Sequence, residues 1–487
     1  MRPLLLSLLF YCCSIGIAQD YHHWSEQFGA RASLLGGAAT AGLGDNATVY
    51  YNSAAMSFVD DPSLSISVNA YRISNVQLKN ALGYGYHLKE TQLSTMPNLI
   101  SGIYAPKKHQ KVRIGYAVIT RRNFSSKYDY LFQGYREVLS STAGPESFVG
   151  GYNQNHNLQE YWAGISLALR VSKHFSIGLS HFGGYRTVKY SNAVEFSALP
   201  TDGSSGEVAT FASKISFNYW NVKGVFKPTI ALDLENFKFG MTFTTPSFNM
   251  LGKANVYRDF SIVNMDELLQ SDLKIVDRAE KIKAQHKENG SLAFGVSWKL
   301  GKRAWLHWTN ETFFGGKYYL IFDADQSPST YPTTIADTSV SRFFGDQHFL
   351  AFGEESSART NIGVGLEVAM TRNWDLYLGA RTDYLYNEKP YFDYERIGID
   401  ASKWNLYHVS LGLAFTSEKL KKYSAGFEFA FTPKRNFYHV INLNNPRANN
   451  LFLGVGDSDA TAKILSFKFL LEIDILSPKT SEPTPAY

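Results

Sequence analysis

Two neighbouring imidazoles, His22 and His23, are residues of a type that could do chemistry. A His pair can supply two ligands to a metal ion, but a stable site needs more, and no third ligand lies close by. The two cysteines, Cys12 and Cys13, sit inside an N-terminal apolar stretch, and bulky Phe10 and Tyr11 precede them in place of the small residues a lipid-anchor site needs. If that stretch is removed, the mature chain has no thiol, which excludes disulfides, thiol catalysis and Cys-ligated metal. Gly150-Gly151, Gly183-Gly184 and Gly315-Gly316 are paired glycines without the flanking pattern of a phosphate-binding loop. No Gly-x-Ser-x-Gly motif occurs. Enzymatic chemistry would need Ser, His and Asn or Asp brought together from distant strands, so a lipid hydrolase stands only as an alternative. The residues call for no cofactor.

The elements that would position such groups are strands. Arg2, the apolar run Leu4 to Tyr11 and the small residues Gly16-Ile17-Ala18 have the order of a secretory signal, predicted over residues 1–18. Beyond it, strict alternation dominates. Leu292, Phe294, Val296, Trp298 and Leu300 alternate with Ala293, Gly295, Ser297 and Lys299. Phe467, Phe469, Leu471 and Ile473 alternate with Lys468, Leu470 and Glu472. Successive side chains of a strand point to opposite faces, so each such segment has an oily face and a polar or small one.

Fourteen strands are predicted, at 63–73, 96–106, 111–124, 158–171, 175–190, 211–231, 236–246, 290–300, 303–322, 357–371, 374–388, 403–416, 423–432 and 463–475. Six short turns alternate with seven long connections. In strand six the oily face changes from Ile215, Phe217 and Tyr219 to Val222, Phe226 and Ile230, which predicts a bulge near Pro228. No apolar run of about 18 residues follows the first twenty, so no transmembrane helix is expected. Charged residues make up 19% and aromatics 15%, with 34 Phe and 30 Tyr, and mean hydropathy is only −0.21. Lipid-facing and lumen-facing residues that alternate along each strand produce that balance. In hydrocarbon every backbone N–H and C=O must be paired, which only a closed sheet achieves. The expected fold is therefore all-β: a transmembrane antiparallel barrel of about fourteen strands over 62–476, monomeric and surrounded by outer-membrane lipid. The net charge of +5 is spread out and forms no long basic stripe, which argues against nucleic acid. The Pro- and Thr-rich residues 477–487 read as a tail.

Residues 24–60 break the strand pattern and are dense in small residues, as a plug folded inside a lumen would require. Arg31, Gly36, Gly37, Ala38, Asp45, Asn46 and Ala47 occur in order, followed by Asn52-Ser53-Ala54. This stretch resembles the N-terminal hatch of the FadL-type long-chain fatty-acid transporters. The family's Asn-Pro-Ala motif stands here as Asn52-Ser53-Ala54, without the proline. The resemblance implies a hatch over 19–61 that gates passive uptake of hydrophobic small molecules, captured first by outer loops and released either sideways through a gap between strands or into the periplasm. Arg31 and Asp45 are expected to pair with lumen charges such as Lys468, Glu472 and Glu367, with Asn52 holding a turn beside the wall. In the connection 247–289, Asn264 and Glu267 have capping-box spacing, and Leu268, Ile275, Ala279 and Ile282 recur at helical intervals. They predict an outer helix, with Leu268, Ile275 and Ile282 touching the oily ligand. The rival to a transporter, besides the hydrolase, is a structural or secretion-accessory barrel that holds a protein partner.

Overall fold

The computed structural model describes residues 22–59, 63–106, 108–201, 207–265, 272–324, 350–386, 404–417, 421–433, 435–437, 441–454 and 460–476. Among the described residues, nineteen strands follow the first two short helices. In chain order they are β1 Ser63–Lys79, β2 Leu88–Tyr104, β3 Val112–Arg136, β4 Glu146–Arg170, β5 Phe175–Leu199, β6 Ala209–Leu234, β7 Phe237–Thr244, β8 Phe248–Val263, β9 Leu273–Lys283, β10 Ser291–Leu300, β11 Ala304–Phe313, β12 Gly316–Phe322, β13 Phe352–Ser356, β14 Arg359–Ala369, β15 Trp374–Asp383, β16 Leu406–Thr416, β17 Lys421–Phe431, β18 Arg435–Phe437 and β19 Ala460–Leu476.

Fourteen of these close into an antiparallel barrel. Neighbours run from β1 through β7, then β10, β11, β14 to β17 and β19, which pairs back onto β1 over Ser63↔Leu476 to Lys79↔Thr461. Each predicted strand overlaps one of the fourteen. The remaining strands lie outside the ring: β8 and β9 extend the sheet from the upper half of β6, β12 pairs with β13, and β18 adds to β19.

Several strands are longer than expected. Most of the connections 74–95, 125–157 and 191–210 are strand. The reason lies in how the two faces change with height. On β5, Ile177, Leu179 and Tyr185 point outward and are 41%, 48% and 44% exposed, while Ser176 and Ser180 point inward. Further along the same strand Val188, Tyr190, Val194 and Phe196 are the buried, inward residues, and Lys189 faces out. Near the periplasmic turns the outside is oily because it meets lipid. Above the membrane the outside meets water and the inside becomes the apolar core.

This inversion corrects the reading of β6. Its odd-numbered residues stay inward throughout, from Phe211 to Ala231, and the β5–β6 register is unbroken. The change of oily face is the crossing from lipid to water. The irregularity lies instead on the other side of β6. The β6–β8 ladder shifts at Val222/Lys223 and ends at Gly224, and β7 takes over only at Thr229. Pro228, which has no N–H to donate, falls in that break.

The predicted outer helix is also corrected. Ile275, Ala279 and Ile282 lie on β9, an extended strand, and Asn264 sits in the β8–β9 turn at φ 51°. Leu268 and Glu267 lie outside the described residues. The exposed edge of β8 offers a full row of backbone partners, and pairing there outweighs a weak local helical spacing.

The inversion makes a quantitative prediction. Leu179→Arg puts a charge in the lipid-facing belt and should destabilise the barrel by up to about 2–4 kcal/mol. Lys189→Arg, ten residues along the same outer face, should change stability by less than about 0.5 kcal/mol. Urea unfolding in lipid vesicles compares the two; equal losses would contradict the assigned belt.

Candidate functional site

The N-terminal segment carries α1 Ala30–Leu34, α2 Thr48–Tyr51 and a 3-10 turn at Ser53–Phe58. It touches all fourteen wall strands through their inward residues, so it lies inside the barrel. Glu26 accepts from Asn69 on β1, and Asn98 of β2 accepts from the Gly29 amide. Arg121 of β3 donates to the His23 carbonyl, Ser166 of β4 to Val49 and Ser176 of β5 to Ala54. Thr229 of β6 accepts from the Ala54 amide, and Thr242 of β7 donates to Tyr51. Thr40 packs at Gly295 of β10 and donates its amide to Thr309 of β11. Arg31 meets Glu367 of β14, Arg381 of β15 donates to Trp24, and Ser410 of β16 donates to Leu34. Leu34 also packs at Gly426 of β17, and Lys468 of β19 donates to Ser25.

The segment touches all three wall charges, but only Glu367 meets an expected partner; Lys468 and Glu472 are met by other groups. Arg31 forms a forked pair with Glu367 at 2.6 and 2.8 Å, and Glu472 accepts from the Ala30 amide. Lys468 is met by Glu26 at 3.0 Å. Asp45, the expected partner, faces Arg31 at 3.6 Å and caps the next turn through the Ala47 amide. Asn46 bonds Ser65 of β1 at 2.8 Å. Asn52 is fully buried and donates to both the Thr40 and Ile230 carbonyls, tying two parts of the segment to β6. Ser53 bonds Thr229 at 3.0 Å.

Small residues on both sides make this fit. Gly36 adopts φ 64°, and a Cβ there would fall 2.5 Å from the Ala380 carbonyl oxygen. The facing wall is small too: a Cβ at Gly379 would meet the Gly36 amide at 2.3 Å, and at Gly412 the Leu34 side chain at 2.3 Å. Gly37 turns at φ 75° against Gln27, and Ala38 is buried. His22 bonds the Trp404 carbonyl at 2.7 Å, and His23 is stacked between Phe313 and Tyr386. The His pair thus fastens the start of the segment, and among the described residues no group of three His, Cys, Asp or Glu could hold a metal.

Above the segment lies a layer of buried charge that sequence reasoning missed. Glu288 receives Arg122 at 2.9 Å and Lys223 at 3.0 Å, with His23 at 3.8 Å and Arg121 at 3.9 Å. Lys223 also reaches Glu160 at 3.0 Å, which takes Arg186 at 2.9 Å. These residues come from six separate stretches of chain, so no local pattern announces them. One signal was visible: Arg121-Arg122 puts two cations side by side in an alternating strand. The structure resolves it as a bulge, with the β3–β4 register shifting between Thr120 and Arg122.

His286, on the connection between β9 and β10, completes the layer 3.2 Å from Glu354 and 3.0 Å from Lys223. Burial, then Arg186 and Lys223, push its pKa down to about 4. The imidazole is therefore neutral in the folded protein down to pH values at which the unfolded chain has already taken up the proton. Its contribution is complete above about pH 6.5 and is lost as pH falls toward 4, by roughly 3 kcal/mol. His286→Gln should flatten the fall in melting temperature between pH 6.5 and 4; an unchanged profile would mean that other groups set it.

Over the charged layer the barrel interior is apolar. Phe148 stacks on Phe196 at 5.5 Å and meets Phe452 at 5.4 Å, while Phe217 packs against Tyr190, Phe322 and Phe352. Leu443, Ile441 and Leu451 belong to the same cluster, as does Ile275.

The wall has a side opening. β2 and β3 pair only from Leu99↔Ile119 to Tyr104↔Ile114, although both strands continue upward. The break begins at the Arg121 bulge and at Pro97 of β2, which lacks an N–H; the Pro97 carbonyl accepts from Thr120 at 2.6 Å. Above it the strands are tied by side chains, with Glu90 accepting from the Lys127 amide and Gln92 donating to Ser125. A cavity of about 380 Å³ fills the break, reaching from Leu93 and Asn123 inward to His22 and Ser25 of the N-terminal segment.

No family model matches this sequence, and no curated protein matches it either. Solved structures do share its fold. A FadL homologue of Pseudomonas aeruginosa is 12% identical, with a TM-score of 0.55 over 95% of this chain and 99% of that one. The Pseudomonas putida toluene transporter TodX is 12% identical, with a TM-score of 0.56 over 94% and 99%. The Ralstonia pickettii toluene transporter TbuX is 10% identical, with a TM-score of 0.52 over 92% and 98%. At these identities the likeness establishes the fold. With its closed ring and outward apolar belt, the chain is a fourteen-stranded barrel of the bacterial outer membrane.

Proposed function

We propose that this barrel is a passive outer-membrane channel for hydrophobic small molecules, gated by its N-terminal segment. The apolar interior above the charged layer carries the reading. A water-filled pore has a polar lining; this one is lined with aromatic and aliphatic side chains where an oily compound arriving from outside would first enter. Capture begins in the cluster that includes Ile275 and Ile282 of β9. Below, the segment holding Arg31, Asp45 and Asn52 blocks the straight path. The break between β2 and β3 is the sideways exit, which suits a cargo more soluble in lipid than in water. No energy source is required, because partitioning and downstream consumption drive the flow. The fold shared with toluene transporters supports this class of cargo. Long-chain fatty acids and aromatic hydrocarbons are the two groups to compare.

Purified protein should bind a fluorescent long-chain fatty acid or radiolabelled toluene saturably. Phe196→Asn with Phe217→Asn should weaken the better of the two at least about tenfold, equivalent to about 1.4 kcal/mol. Binding of neither compound, or unchanged binding by the folded double variant, would refute the channel's assigned cargo class.

A further inference from the structure

Outside the lumen, the upper wall carries a groove that the transport reading does not use. It crosses five strands along a single rung: Asn155 of β4 faces Ser191 of β5, which faces Ser216 of β6, then Tyr257 of β8 and Arg278 of β9. A cavity of about 260 Å³ lies over this rung and the next one below, which brings in Lys189, Asn218 and Asn255. A bulge shapes it. Ala254 pairs with Ile282 and Val256 with Ala279, so Glu280 and Lys281 together oppose Asn255. Asn255 accepts from the Lys281 amide at 2.9 Å and donates to Asn218 at 3.0 Å, which fixes the amides in place.

The chemistry of this surface is amide, hydroxyl, one flat ring and excess positive charge. Lys189, Lys214, Arg278 and Lys281 border the groove, and Lys214 lies 5.9 Å from the Tyr257 ring centre. Two carboxylates offset part of this charge, Glu280 pairing with Arg278 and Asp259 with Lys274, which leaves Lys189, Lys214 and Lys281 as the excess. Height selects what this surface meets. Tyr185 and Trp220 are neighbouring aromatics at the top of the lipid-facing belt, the level of a membrane interface. Lys189 lies four residues beyond Tyr185, about 13 Å along the strand. That is above the acyl chains and level with the sugars of a glycolipid headgroup in the surrounding leaflet.

We infer that this groove binds the anionic saccharide headgroup of an outer-leaflet glycolipid. Amides and hydroxyls bond the sugar hydroxyls, Tyr257 packs on a sugar face, and the cations meet phosphate or carboxylate substituents. The probe is the deacylated, phosphorylated core oligosaccharide released from a Gram-negative outer membrane, titrated into the detergent-solubilised full chain. Saturable binding is expected, weakened at least tenfold by dephosphorylating the sugar and at least tenfold by the Lys189→Glu, Tyr257→Ser, Arg278→Glu triple variant. If the triple variant loses the heat-dependent gel mobility of a folded barrel, Tyr257→Ser alone carries the test and should weaken binding at least threefold. No saturable binding, or wild-type affinity in the folded variant, overturns the assignment. So does displacement by inorganic phosphate at the same concentration as the oligosaccharide, since that would mark a simple phosphate site.

Discussion

Removing residues 22–58 should leave a folded barrel that conducts ions at least about tenfold better than the full chain. The wall closes through its own ladder, β19 onto β1, and none of those backbone bonds involves the segment. About eight strands already enclose enough room for side chains alone, and fourteen enclose considerably more. In the intact protein that room is taken by residues buried almost completely, from Phe28 and Leu34 to Val49 and Met56. Without them, Lys468, Glu367 and Arg381 lose their contacts to the segment, keep only wall partners such as Glu428 and His307, and become water-exposed lining. Single-channel recording in planar bilayers, with heat-dependent gel mobility as the folding control, measures the difference. A folded deletion protein that conducts no better than the full chain would remove the segment's role as the gate.

Glu288→Gln should be the most damaging single substitution in the charged layer, costing about 3–5 kcal/mol. The carboxylate is almost fully buried and joins Arg122 and Lys223 directly, with Arg121 and His23 just beyond. The amide keeps the shape and removes the charge, so the surrounding cations are left with Glu160 as their nearest compensation. Desolvated cations without a counter-ion are far more costly than an exposed broken pair. Because His23 is stacked beside this group, the start of the N-terminal segment should loosen too, which bilayer recordings would show as flickering conductance. Thermal unfolding in detergent supplies the stability value. A melting temperature within a degree or two of the wild type would show that water already screens these charges.

Period-two alternation and the rhythm of short turns and long connections determined the barrel and its strand number. Both are local properties, written in residues two apart and in turn chemistry. The small-residue stretch around Gly36-Gly37 and the run Asp45-Asn46-Ala47 likewise marked a segment that could not be a strand and would suit a confined space. What alternation could not decide is which side of a strand faces in. Val188 and Ile177 are both aliphatic and β-branched, yet one is buried inside and the other is exposed, because the solvent changes from lipid to water along β5. That ambiguity turned a change of environment on β6 into an apparent bulge and hid the upper halves of β3, β4 and β5 inside supposed loops. Ile275 and Ile282 had spacing that suits a helix, and only the open edge of β8 made them a strand. The charged layer needed the closed fold most of all: Arg122, Glu160, Lys223 and Glu288 are dozens of residues apart, and only the closure of the ring brings them together. Once those charges were buried together, desolvation made their pairing obligatory, and no local pattern contains that constraint.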